Sequence, residues 1–198
     1  MRTQMIAMMA ALAGVTAHAA EATATASERR VTVCVEGAGL VRGYWQARYM
    51  ASRMFGVIGV AIDWRPGFGG CGYEAIRVSL TDNTPADLKP TALAYALPYE
   101  GTHVRIFYDR IAYNREATAV PPILAHVLVH EITHMLEGIC HHSPTGIMMA
   151  HWGPNEFNRM ARKPMEFSAE DTDLIYLGLM SRRQAMTART ATAAVNTR

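Results

Sequence analysis

His130-Glu131-Ile132-Thr133-His134-Met135-Leu136-Glu137-Gly138-Ile139-Cys140-His141-His142, with Gly146-Ile147-Met148 close behind, is the stretch from which the rest of the chain can be read. It contains H-E-x-x-H, a pattern whose residue types and spacing imply a chemistry. Residues four apart on a helix lie one above the other, so His130 and His134 point the same way and can share one metal ion. Glu131 follows about 100° around the helix, within reach of a water on that ion. The flanks support a helix. Pro121-Pro122 suits a first turn, where proline's missing N–H costs nothing. Leu124, Leu128, Ile132, Met135 and Ile139 recur at helical spacing as one apolar stripe, opposite the face that carries His126, His130 and His134. One side can therefore enter a core while the other looks into a cleft. Gly138 is the natural stop, because glycine takes the left-handed conformation at little cost. Beyond it the chain can turn and bring His141 or His142 back towards the ion. Three protein ligands and a water are the usual arrangement of catalytic zinc.

These residues resemble the metzincin metallopeptidases. From His130 to Met148 the chain shows a zinc-binding helix, a glycine turn, a third histidine and then a methionine turn. The likeness is strongest to small matrixin-like secreted bacterial proteins that carry H-E-[IL]-x-H-x-L-x-G and then H-S-x-[ST]-G-[IV]-M, here His142-Ser143-Pro144-Thr145-Gly146-Ile147-Met148. The resemblance implies His130, His134 and His142 as ligands of Zn2+ and Met148 as an apolar floor beneath the metal. The usual spacing, H-E-x-x-H-x-x-G-x-x-H, would put glycine where Glu137 stands and histidine where Cys140 stands. Here Gly138 comes one residue late and the histidines one and two residues late, so His141 is the alternative third ligand. The fold implied is α+β and zincin-like: a twisted, mostly parallel sheet with an antiparallel edge strand, a zinc-binding helix and a C-terminal helix.

Outward from the motif, the order of elements agrees. Val31 to Val35 alternates with β-branched residues and predicts a strand. Gly43 to Phe55 has Tyr44, Ala47, Ala51 and Phe55 near helical spacing. Val60 to Trp64 and Ala75 to Leu80 read as two more strands, Thr81 to Pro90 as a loop, and His103 to Tyr108 as a fourth strand. In the family, the strand before the zinc helix forms the cleft edge and binds an extended peptide through its backbone. His103 to Tyr108 or its neighbour is expected to play that part. After Met148 come a loop around Trp152-Gly153-Pro154 and a helix from about Ser168 to Arg182. Its cap and acidic first turn lie in Phe167-Ser168-Ala169-Glu170-Asp171.

At 198 residues, half of them hydrophobic, the chain suits one domain with a sizeable core. A net charge of +2 with scattered basic residues gives no reason to invoke nucleic acid. Arg2, the apolar run Met5 to Val15 and Ala17-His18-Ala19 read as a secretory signal, too short to span a membrane comfortably. We therefore expect a signal peptide over 1–19, a catalytic domain over 20–183, a flexible tail over 184–198, and a secreted or periplasmic location. Cys34 and Cys71 can form a bridge in such a compartment, leaving Cys140 as filler or a free thiol. Gly67-Phe68-Gly69-Gly70-Cys71-Gly72 matches G-x-G-x-x-G by letter, but a strand-like run follows instead of a helix, so it reads as a turn. His126 reads as a packed histidine outside the ligand set, since three ligands on one straight helix cannot converge.

The function expected is a secreted zinc-dependent peptidase with Glu131 as general base, acting on a peptide or protein. Two other classes stay open. One is a gluzincin-type hydrolase with Glu156, Glu166 or Glu170 as third ligand. The other is a secreted zinc-binding or interaction protein without turnover, which the lack of a recognisable inhibitory propeptide favours and the presence of Glu131 disfavours.

Overall fold

The structure is a computed structural model and describes residues 29–96 and 102–196. The signal-peptide reading over 1–19 lies outside the described residues. Five strands form one sheet: β1 (Arg30–Glu36), β2 (Ala61–Pro66), β3 (Ile76–Thr81), β4 (Ala94–Ala96) and β5 (His103–Phe107). Their order is β2-β1-β3-β5-β4, with every pair parallel except β4 against β5. β1 and β3 are central and apolar. The register places Val33 beside both Trp64 and Ile76, and Val78 beside Val104.

Parallel neighbours need a crossover, and helix α1 (Tyr44–Val57) supplies the one between β1 and β2. Its buried face, Tyr44, Ala47, Ala51, Met54 and Phe55, is the one the spacing picks out. A short helix α2 (Tyr108–Ala112) follows β5 and leads to α3 (Val120–Glu137), the motif helix. α1 packs along α3, and the small side chains of Ala47 and Ala51 let the two backbones approach. Leu124, Leu128 and Ile132 of α3 join Val33, Ile76 and Ile106 of the sheet in one core, all essentially without solvent exposure. α4 (Pro154–Met160) and α5 (Ala169–Asn196) complete the described chain.

α5 lies against the C-terminal half of α3. Gly178 permits this: a Cβ there would run into the backbone carbonyl of Leu136. Four residues on, the half-buried Arg182 guanidinium donates to the Met135 carbonyl at 3.4 Å and to the Glu74 carbonyl at 2.5 Å. α5 does not stop near Arg182. It continues to Asn196, through the segment where the sequence analysis expects a flexible tail. Residues 183–194 are exposed, and Thr187, Thr190 and Thr192 each donate a hydroxyl hydrogen bond to the carbonyl four residues back. The alanines, arginines, glutamine and methionine there favour helix where no packing decides.

Cys34, buried in β1, is bonded to Cys71 in the β2–β3 connection, with Cα atoms 6.6 Å apart. The glycine-rich segment is the turn expected, with Gly67 at φ 64° and Gly70 at φ 79°. The cleft-edge strand is β4, the neighbour of His103–Phe107. β5 itself is internal, held between β3 and β4.

Candidate metal centre

α3 begins with prolines in its first turn and ends at Gly138, which sits at φ 71° and donates its N–H to the His134 carbonyl. Within it, His130 and His134 face each other, their Nε2 atoms 3.1 Å apart. The chain then returns through a loop that brings in His142. One ring nitrogen from each of His130, His134 and His142 lies within 4.8 Å of the others. The ring centroids are 4.7 Å apart for His130–His134, 4.9 Å for His134–His142 and 5.4 Å for His130–His142.

Hydrogen bonding fixes how these rings present themselves. His130 donates from Nδ1 to the Ile147 carbonyl at 2.9 Å, which leaves its Nε2 lone pair facing the other two rings. The Ile139 carbonyl favours a proton on His134, although no bond of good geometry forms to its Nδ1. Burial holds all three imidazoles neutral. It pushes His130 down to about 4, and it pushes His134 down to about 3 with help from the neighbouring histidines. His142 is lowered by burial first and then by His141 and His151, although its residue as a whole stays exposed. Three neutral imidazoles with converging lone pairs fit the donor set of a zinc ion.

Glu131 lies on the same helix and lines the cleft beside the three rings. It is 8 % exposed, and burial pushes its carboxyl up to about 8. The cleft holds about 450 Å³, with β4 along one side and Met149, Trp152 and Phe157 along another. Trp152 stands edge-on to His130 at 5.2 Å between centroids.

The remaining candidates fall elsewhere. His141 does not join the converging set; its Nε2 lies 3.9 Å from Asp171 Oδ1 and 3.5 Å from Ser143 Oγ. Glu156 accepts the Gly153 N–H at 2.9 Å as part of the α4 cap, Glu166 pairs with Lys163 at 2.7 Å, and Glu170 is exposed at the start of α5. None of the three is brought to the histidines. His126 is the packed residue expected: Nδ1 donates to Pro122 O at 2.7 Å and Nε2 accepts the Met165 N–H at 3.0 Å. Met148 is fully buried, and its carbonyl accepts the Ser143 N–H at 2.9 Å. Glu137 is half-buried, and both its carboxylate oxygens are buried without a partner among the described residues. Burial, then Asp171 and Glu170, push it up to about 8.

Sequence reasoning missed one contributor. Asp171 is completely buried, and its carboxylate serves both the α5 cap and the loop that carries His142. The Ser168-x-x-Asp171 spacing signals the cap, but nothing in the sequence signals the second bond.

A similar arrangement of helices and sheet, at TM-score 0.54, is found in a solved structure of a protein from Methanopyrus kandleri. The fold resembles that of an archaemetzincin. That archaemetzincin shares 14% sequence identity with the chain, and the match covers 77% of this chain and 97% of that one. No family model matches the chain, and no curated protein sequence matches it.

Proposed function

We propose that the protein is a zinc-dependent peptidase of the metzincin type, with His130, His134 and His142 as ligands and Glu131 as general base. The observation that carries this reading is the convergence of three neutral imidazoles beside a buried carboxyl, in a cleft with a sheet edge on one side. A site meant only to hold the fold would have no use for Glu131 or for open space next to it.

When bound, zinc supplies an acidified water and a positive site for a carbonyl oxygen. The chain's own residues do the rest. β4 offers its unpaired flank to an extended peptide, which fixes the scissile bond relative to α3. The His130 Nδ1–H bond to Ile147 keeps the ring turned towards the site. Glu131 without a neighbouring cation is protonated at neutrality, and an opposite charge within a few ångströms restores the carboxylate. That carboxylate takes a proton from the attacking water on one oxygen and delivers it to the nitrogen of the departing amine. Met148, fully buried, would be the apolar floor that the resemblance implies. The archaemetzincin-like fold supports the class of reaction, and the likeness of His142 to Met148 to secreted matrixin-like sequences supports the subtype.

We also propose export by a signal peptide over 1–19, a catalytic unit from residue 20, and a peptide or protein substrate. The Cys34–Cys71 bridge supports an oxidising compartment. No helix among the described residues is long and apolar enough to cross a membrane.

The test is metal content and cleavage of a broad peptide library, on wild type and Glu131→Gln. The expected result is about one zinc per chain in both, with cleavage in the wild type alone and its loss in chelator. Cleavage by Glu131→Gln at the wild-type rate would overturn the mechanism. Zinc without cleavage by wild type would move the protein to a binding role.

A further inference from the structure

The third histidine differs from the other two in how it is supported. His130 and His134 are set by a rigid helix, but His142 sits on a loop and stays exposed. The residues on either side of it both meet one carboxylate. Ser143 donates its hydroxyl to Asp171 Oδ1 at 2.5 Å, and His141 Nε2 lies 3.9 Å from the same oxygen. The other oxygen, Oδ2, accepts the Ser168 N–H at 2.8 Å, while the Asp171 N–H donates to Ser168 Oγ at 3.0 Å. Those last two bonds are a reciprocal cap at the start of α5. Ser143 also donates its backbone N–H to the Met148 carbonyl, closing the loop, and Ile147 N–H donates to the Glu166 carbonyl at 3.0 Å. Asp171 is therefore fixed from one side by its helix and holds the His142 loop from the other.

We infer that Asp171, acting through Ser143, is the positioning residue for His142, so that the cap of the C-terminal helix sets how firmly the third ligand is held. This deepens the proposed metal site and rests on His142 being a ligand. Partners outside the ligand set that orient a metal-binding side chain commonly change metal affinity by about 10–100-fold. A ligand on an exposed loop depends on such support more than one set in a helix.

The experiment is the rate of zinc transfer from the loaded full-length protein to a chromophoric chelator, with a melting curve for each variant. Ser143→Ala and Asp171→Asn are expected to release zinc at least about 10-fold faster than wild type. Ser143→Thr, which keeps the hydroxyl, should restore the wild-type rate. Tyr176→Phe loses a 2.6 Å bond from α5 to the Ile58 carbonyl, away from the loop; it should melt lower yet release zinc within about twofold of wild type. His142→Ala is the reference for a lost ligand. Wild-type release from Ser143→Ala, with rapid release from His142→Ala, would overturn the positioning role and leave the metal site standing. Equal acceleration by Tyr176→Phe would reduce the effect to stability and also overturn it. Unchanged release from His142→Ala would sink both the role and the ligand assignment.

Discussion

Glu131 should make the metal-free protein less stable than it need be, and Glu131→Gln should reveal by how much. The carboxyl titrates near 4.5 when unperturbed and is pushed up to about 8 by burial in the fold. A group whose folded pKa is raised prefers its proton in the native state. Its contribution is therefore fully present below about 4.5, and stability is lost as pH rises from there, levelling off above about 8. At pH 7 the span traversed is about 2.5 units, which at 1.36 kcal/mol per unit gives a penalty on the order of 3 kcal/mol. Glutamine has nearly the same shape and never ionises. In chelator-treated protein, Glu131→Gln should melt higher than wild type at pH 7, by roughly 6–12 °C for a domain of this size. At pH 4.5 the gain should fall close to zero. Glu137 titrates over the same window and contributes to the slope of both proteins, so the difference between them isolates Glu131. With zinc bound the gain should shrink, because the cation restores the charged form that glutamine cannot supply. A gain in stability that is the same at pH 4.5 and pH 7, or no gain at either, would refute the argument that burial sets this carboxyl.

Other outcomes can be checked on the same preparations. Replacing Cys34 and Cys71 together by alanine releases a loop of sequence separation 37 and should cost about 4 kcal/mol by loop entropy, or roughly 10 °C in Tm under oxidising conditions. Zinc should be retained on acidification to about pH 5.5, below the ordinary imidazole value, since burial holds His130 and His134 at about 4 and 3. For these groups the folded pKa is depressed, so protons compete with the metal only as pH falls well under about 6.5; half-release near pH 6.5 in a metal-content titration would contradict this. Gly178→Ala should destabilise by about 1–3 kcal/mol in a denaturant melt, because the clash is with the Leu136 backbone and outweighs the helix-propensity gain of about 1 kcal/mol.

Much of the fold could be read from local pattern. The long elements announce themselves: β1, α1 and α3 carry clear periodicity, and Gly138 marks the end of α3 at the residue where the structure ends it. β4 could not be read. It is three residues long, Ala94-Tyr95-Ala96, too short for an alternation to register, and only pairing with β5 makes it a strand. α4 was hidden for a similar reason, since Gly153-Pro154 looks like a loop until Glu156 closes the cap. At the site, His130, Glu131 and His134 follow from helical geometry alone. His141 and His142 differ by one residue after a glycine turn, and helix geometry says nothing about how the loop beyond it is folded. Contacts far apart in sequence set them apart: His141 lies against Asp171, 30 positions away, and His142 converges with the helical pair, which is why His142 is the proposed ligand.

Gly178 has a mechanical consequence as well. By fitting over a carbonyl near the end of α3, it works like a notch on a tooth. A slip of α5 by one turn along its own axis would replace that notch with Leu174, Ile175, Ser181 or Arg182, each carrying the Cβ that the contact excludes. Gliding of packed helices past each other, one common route to domain movement, is thereby blocked at this contact. Rotation about the notch, as about a pin, requires no such exchange of residues. Movements that admit a long chain should accordingly appear as rotation of the segments carrying Met149 and Trp152, with the axial phase of α3 and α5 unchanged.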